Sequence, residues 1–329
     1  MPRVPRVLGL LVAVAVLALP AGAQAASNRW LVPQPLDIAH QGGEDEFPSN
    51  TMYAFKRSLK AAADMLELDV GVTSDDQVVV MHDTTLDRTT NGTGTIASHT
   101  LAQIRRLDGA YWFSPSTANA YRHDRRAAAY RWRGVATGKR RPPKGYNASD
   151  FRVPTLREVL RAFPRTPINI EIKGRTKDEA LAEYLQNAGV LGRLLKGNPR
   201  KDLIVVSFKQ EAVDRFHEIA PQIPLAPGIG GTADWLLGGQ SPGPGVVAFQ
   251  LPITYQFGGQ LLDITTAANV AHAHRDGYAW HTWLSDDTES PATWTQLIDW
   301  CVDGVMTARP VEFHRLLAKH RRPAACATP

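Results

Sequence analysis

Residues Leu36–Thr90 read LDIAHQGGEDEFPSNTMYAFKRSLKAAADMLELDVGVTSDDQVVVMHDTTLDRTT, and the rest of the chain can be ordered around them. Asp37–His40 and Met65–Val70 are apolar runs of strand length. Between them Met52, Phe55, Leu59 and Ala62/Ala63 recur at helical spacing within Thr51–Ala63, with Asn50 as the expected N-cap. The chain therefore opens as strand, helix, strand. Inside the second strand Glu67 and Asp69 stand at i and i+2, so both carboxylates face the same way. Two carboxylates in a buried strand are costly unless a cation offsets them. No Lys or Arg lies in Met65–Val80, and hard oxygen donors favour Mg²⁺ or Ca²⁺.

The piece after Asp69 is too short for a parallel crossover, which needs a dozen or more residues. It reads as an antiparallel hairpin centred on Asp75–Asp76, which brings His82 roughly opposite Asp69. His40 ends the first strand, so two histidines flank two carboxylates. Each of these residues alone would more often be a surface or satisfied core group. Together they describe a site.

The same stretch resembles the glycerophosphodiester phosphodiesterase family. The matching segments are His40-Gln41-Gly42, Pro48-Ser49-Asn50-Thr51, Glu67-Leu68-Asp69-Val70, His82-Asp83 and Arg88-Thr89-Thr90. Gln41 stands where the family has arginine, and Ser49 where it has glutamate. Further on, Glu171-Ile172-Lys173 resembles the family's Glu-Ile-Lys, Ser207-Phe208 its Ser-Phe, and Trp283 its pocket tryptophan. Leu284 and Ser285 depart from the usual Thr-Val, and Cys301–Pro310 resembles the closing motif. The resemblance covers Leu36 to about Leu317.

It implies one divalent cation, Ca²⁺ or Mg²⁺, on Glu67, Asp69 and Glu171. It implies His40 and His82 as general acid and base, and Gln41, Lys173, Ser207 and Trp283 around the substrate. The reaction implied is hydrolysis of a small-molecule glycerophosphodiester to an alcohol and glycerol 3-phosphate. The glycerol 2-hydroxyl is implied as first nucleophile, giving a cyclic phosphate that water then opens. A sphingomyelinase-D-like phospholipase and a catalytically weak binding member of the same fold are the alternatives. The loss of arginine at position 41 motivates the second.

The 329 residues suffice for one large barrel. Eight strand candidates can be counted: Asp37–His40, Met65–Val70, Ile168–Ile172, Leu203–Phe208, Pro224–Ile229, Val246–Leu251, Tyr278–Leu284 and Gly304–Thr307. Helical stretches separate most of them, which predicts an α/β fold, a (β/α)₈ TIM barrel with the hairpin after its second strand. Thr155 is a helix start ahead of Leu156, Val159, Leu160 and Phe163. Gly228–Gly231 and Asp234–Gly245 read as loops. Composition excludes coiled coil, collagen and wholesale disorder, and no solenoid period is present. His272 and His274 fall on opposite sides of a helix and are not joint ligands.

Residues 107–151 form an insertion before the third barrel strand, in which Arg122, Arg125, Arg131, Arg133 and other cations alternate with Tyr111, Trp112, Tyr130 and Trp132. A stacking nucleic-acid surface and an anion-steering lid are both conceivable. The favoured reading is an insertion whose arginines pair and stack on their own aromatics, with some steering. No nucleic-acid partner is expected.

Arg3 and Arg6, the apolar run Leu8–Leu19 and Ala23-Gln24-Ala25 describe a signal peptide over residues 1–25. A single domain over 26–329 would remain, with a tail over 318–329, secreted to the cell envelope or outside, and with no integral membrane span. Its formal charge falls from +5 to +3. Cys301 and Cys326 either form a disulfide or stay apart, and oligomeric state is left open.

Overall fold

The computed structural model describes residues 28–117, 119–285 and 287–326; the expected signal peptide and residues 327–329 of the tail lie outside them. The elements in order are β1 (Leu36–Ala39), α1 (Met52–Lys60), β2 (Met65–Val72), β3 (Val78–Val80), α2 (Leu101–Ile104), α3 (Leu156–Ala162), β4 (Ile168–Ile172) and α4 (Leu181–Leu195). Then follow β5 (Leu203–Val206), α5 (Gln210–Ile219), α6 (Ile229–Gly238), β6 (Ala248–Leu251), β7 (Thr254–Phe257), β8 (Gln260–Asp263) and α7 (Ala267–Arg275). The chain ends with β9 (Ala279–Trp283), α8 (Pro291–Asp299), β10 (Gly304–Thr307) and α9 (Pro310–Leu317).

Seven parallel strands form one curved sheet in the order β5-β4-β2-β1-β10-β9-β6. Leu225 closes it, bridging Val205 on one side and Val246 on the other. The expected strand Pro224–Ile229 is thus reduced to one bridging residue. Pro224 and Pro227 lack the N–H a longer ladder would need. Ile229 already begins α6, which runs to Gly238, so of the expected loops Gly228–Gly231 and Asp234–Gly245 only the N-cap Gly228 and residues 239–245 lie outside helix. The TIM barrel expected from the strand count is the fold observed.

Local chemistry explains the helix starts. The Thr51 hydroxyl accepts a hydrogen bond from the Ala54 N–H, so Thr51 caps α1 in place of the expected Asn50. Asn50 instead takes φ 56° and turns its side chain toward β2. Thr155 and Glu158 form a reciprocal capping box on α3. Ser290 caps α8, with Pro291 in its first turn.

Trp30, Ile38, Met65, Ile204, Ala248, Ala279 and Met306 pack together inside the barrel, and Trp30 meets His281 edge-on with ring centroids 6.2 Å apart. That plug holds apolar side chains below and leaves the C-terminal strand ends for polar ones. In the insertion, Arg133 lies over the rings of Tyr111, Trp112 and Tyr130 at 4.2, 4.5 and 4.0 Å, and Arg131 over Trp132 at 4.7 Å. Cys301 and Cys326 are disulfide-bonded, tying the tail to the turn before β10. No helix among the described residues is long and apolar enough to cross a membrane.

Candidate active site

Sheet register assembles the carboxylates. β2 runs parallel to β4 with Glu67 beside Asn169 and Asp69 beside Glu171. All eight residues of β2 are buried. Carboxylate oxygens of Glu67, Asp69 and Glu171 lie within 4.8 Å of one another. The cation missing from β2 itself comes partly from the neighbouring strand end. Lys173 Nζ donates to Glu171 Oε1 at 2.7 Å and sits 3.2 Å from Asp69 Oδ1, though not aligned to hydrogen-bond there.

Three carboxylates against one ammonium still leave excess negative charge. Burial, then the neighbouring Asp69, pushes Glu67 well above the usual carboxylate range. For Asp69 burial acts in the same direction, but Lys173, His82 and His40 outweigh it and hold the group low. Lys173 is raised, because Glu171 and Asp69 overcome its burial. Asp69 Oδ1 makes no hydrogen bond among the described residues. An unsatisfied buried oxygen within a set of hard donors fits a divalent cation.

Each histidine is oriented by its own acid. His40 Nδ1 is 2.5 Å from Glu44 Oε1, and its Nε2 points to Glu67 Oε2 at 3.9 Å. Burial disfavours the His40 cation, yet Glu44, Glu67 and Asp69 push it up to about 10. His82 Nδ1 meets Asp83 Oδ1 at 2.8 Å, and Arg88 grips the same carboxylate with Nε and Nη2 at 2.7 and 3.0 Å. Hairpin pairing of Val70 with Val80 and Val72 with Val78 puts Met81, not His82, across from Asp69; His82 is one residue further along.

Gln41 is the residue expected beside the substrate in place of the family's arginine. Its side chain is buried and forms no part of the cavity wall, while its backbone N–H donates to Glu67 Oε2 at 2.7 Å. The Ser49 N–H donates to the Tyr121 hydroxyl at 2.5 Å, which anchors the insertion to the mouth. Ser207 donates its hydroxyl to the Ile172 carbonyl at 3.0 Å.

His40, Glu67, His82, Glu171, Lys173 and Trp283 line one cavity of about 650 Å³ at the C-terminal mouth, with Ser207 on the same wall. A second space of about 850 Å³ shares His82, Glu171 and Lys173 and opens toward Arg88, Lys177 and Lys209. Reading strands and motifs alone places Glu44 among the acids at the mouth but does not pair it with His40, four residues earlier. It passes over the hairpin β7–β8, although Gly258-Gly259 between two four-residue runs is a turn signal.

Residues 40–312 match the Glycerophosphoryl diester phosphodiesterase family. The chain belongs to this family. It is a phosphoric diester hydrolase by that membership. The glycerophosphodiester phosphodiesterase of Bacillus subtilis (strain 168) is 29% identical over 307 residues, covering 91% of this chain and 92% of that protein. A glycerophosphodiester phosphodiesterase of Caldanaerobacter subterraneus is 47% identical over 196 residues, 58% of this chain and 65% of that protein. Among solved structures, an Oleispira antarctica phosphodiesterase in complex with the product sn-glycerol-3-phosphate superimposes with a TM-score of 0.61 at 17% identity. That superposition covers 87% of this chain and 97% of that one.

Proposed function

We propose that this glycerophosphodiester phosphodiesterase-family protein hydrolyses glycerophosphodiesters to an alcohol and glycerol 3-phosphate, with His40 and His82 as the acid–base pair. The observation that carries this is the convergence of both histidines, Glu67 and Glu171 on one cavity, with Asp69 buried in the same carboxylate cluster. Glu67, Asp69 and Glu171 would hold a single Ca²⁺ or Mg²⁺. Such an ion, when bound, supplies charge stabilisation at phosphoryl oxygens and acidifies a hydroxyl.

The chain's own groups do the rest. Lys173 offers its ammonium to the phosphate, at the rim of the carboxylate cluster. Glu44 and Asp83 hold the Nδ1 side of their imidazoles, which leaves each Nε2 to move a proton at the nucleophile or at the leaving oxygen. Trp283 supplies an apolar wall, and Ser207 fixes the end of β5 against β4. Retention of this complete set speaks against a catalytically silent binding module.

The protein is also proposed to be secreted; the disulfide between Cys301 and Cys326 supports an oxidising compartment.

The test is release of choline and glycerol 3-phosphate from glycerophosphocholine, with and without chelator, in wild type, His40→Ala and His82→Ala. Each histidine variant is expected to lose roughly 10²–10⁴-fold while remaining folded. An unchanged rate in the fully chelated enzyme would sink the metal-assisted reading.

A further inference from the structure

His82 is the less confined of the two histidines. Its side chain is 39% exposed against 20% for His40, so packing alone does not set its rotamer. Asp83 orients it, and Asp83 is itself one-quarter exposed, in a stretch after β3 that has neither strand nor helix. An exposed pair of this kind holds weakly, because water screens it and mobile side chains must be ordered. Arg88 reinforces the pair by gripping Asp83 with Nε and Nη2. Burial would raise Asp83, but hydrogen bonds from His82 and Arg88 hold it well below the usual carboxylate range. Arg88 is in turn a long side chain, 35% exposed, on the same irregular stretch. Left to itself it would keep much of its rotamer freedom.

The insertion at 107–151 fixes it from two sides. The guanidinium carbon of Arg88 lies 5.0 Å from the centroid of the buried Tyr121 ring. Tyr121 packs on Phe113, with ring centroids 5.7 Å apart, and its hydroxyl takes the Ser49 N–H at 2.5 Å. His123 Nε2 lies 3.0 Å from the Arg88 carbonyl, and since a carbonyl only accepts, the ring N–H donates. The His123 ring stacks on Trp112 with centroids 4.0 Å apart and planes 16° from parallel. One contact thus holds the Arg88 side chain and the other its backbone. His82, Asp83, Arg88, Tyr121 and His123 all line the polar space beside Lys173.

Resting on the acid–base reading of His82, we propose that Tyr121 and His123 are positioning residues for it. The insertion fixes Arg88, Arg88 fixes Asp83, and Asp83 presents His82 Nε2 to the proton it moves. In this role neither Tyr121 nor His123 touches the reacting atoms.

The experiment follows choline release from glycerophosphocholine, with Mg²⁺ or Ca²⁺ present, in Tyr121→Leu, Tyr121→Phe and His123→Ala, each alone and combined with His82→Ala. Tyr121→Leu is expected to lower kcat about tenfold with KM nearly constant, since a small misplacement of a reacting group costs up to ~10²-fold. His123→Ala, a change at an exposed side chain, should lower kcat about fivefold. Tyr121→Phe keeps a ring under Arg88 and should stay within about twofold of wild type. In the His82→Ala background all three should alter the residual rate by less than about twofold, because the group they position is gone. Equal fold-losses with and without His82 overturn the proposal, and so does a loss carried by KM. A wild-type kcat in both Tyr121→Leu and His123→Ala overturns it, as does a Tyr121→Phe loss as large as that of Tyr121→Leu. Should Tyr121→Leu fail to fold, the His123→Ala cycle decides alone. A His82→Ala protein as active as wild type sinks the acid–base reading itself.

Discussion

His40 Nδ1 and Glu44 Oε1 lie 2.5 Å apart, joined across a turn and not along an α-helix. Gly42 and Gly43 make that turn, both at positive φ (79° and 87°). A Cβ at Gly43 would come within 2.8 Å of Pro310, and one at Gly42 within 2.9 Å of Ala54. Only glycine lets the chain double back tightly enough for Glu44 to reach the imidazole.

Glu44 is therefore expected to be a positioning residue. Glu44→Ala should lower kcat on glycerophosphocholine roughly tenfold or more, part of what a histidine acid or base supplies. KM should stay nearly constant, and Glu44→Asp should recover some of the loss. A kcat equal to wild type in Glu44→Ala would remove Glu44 from the mechanism.

Asp69→Asn should abolish activity and cation-dependent stabilisation together. Asp69 Oδ1 makes no hydrogen bond among the described residues, and Asp69 faces Glu171 across the β2–β4 register. A ligand that binds only the folded state raises stability by mass action, about 2.7 kcal/mol at a hundredfold excess over Kd. Thermal unfolding with and without Mg²⁺ or Ca²⁺ checks this. An Asp69→Asn protein that still gains the wild-type shift would place the cation elsewhere.

Gln41 contributes its backbone N–H while occupying the left-handed region at φ 49°. Gln41→Gly keeps that N–H and relieves a conformation that costs a side-chain-bearing residue roughly 1–2 kcal/mol, against roughly 0.5–1 kcal/mol of added chain entropy. Stability should hold or rise slightly, and kcat/KM should change less than about threefold, a difference of under 1 kcal/mol. A tenfold loss of activity in a stable Gln41→Gly protein would assign the side chain to substrate after all.

His281 gives the fold an acid-sensitive point away from the carboxylates. It is fully buried inside the barrel, and neither ring nitrogen makes a hydrogen bond among the described residues. Burial lowers it from 6.5 to about 4, with Asp303 opposing. The folded value lies below the unfolded one, so the neutral ring's contribution is complete above pH 6.5 and is lost as pH falls toward 4. Between pH 7 and pH 5 this amounts to about 2 kcal/mol. Urea unfolding of wild type and His281→Leu at those two pH values measures it. The variant should lack that increment, and an identical pH dependence in both proteins would exclude His281 as its source.

Much of the site is legible before any folding because strand geometry is local. Glu67 and Asp69 share a face by the two-residue period alone, and so do Asn169 and Glu171 on β4, with Lys173 one residue past its end. Short motifs in fixed order indicated the family resemblance, and strand counting indicated the barrel. The pairing of Glu44 with His40 escapes such reading because it depends on a glycine turn. The hairpin β7–β8 escapes because it belongs to the mouth and not to the repeating strand–helix order.

The sequence by itself determined which side chains can do the chemistry and on which strands they sit. Tertiary structure decided their partners. Asp69 meets Glu171 through the β2–β4 register, and Lys173 brings to β2 the cation its own segment lacks. Leu225 alone completes the ring, since Pro224 and Pro227 have no N–H to offer a longer strand. Gln41 meets Glu67 through its backbone N–H and not its side chain. Register, ring closure and backbone direction are set by contacts between segments far apart in the chain, and a local pattern carries no record of them.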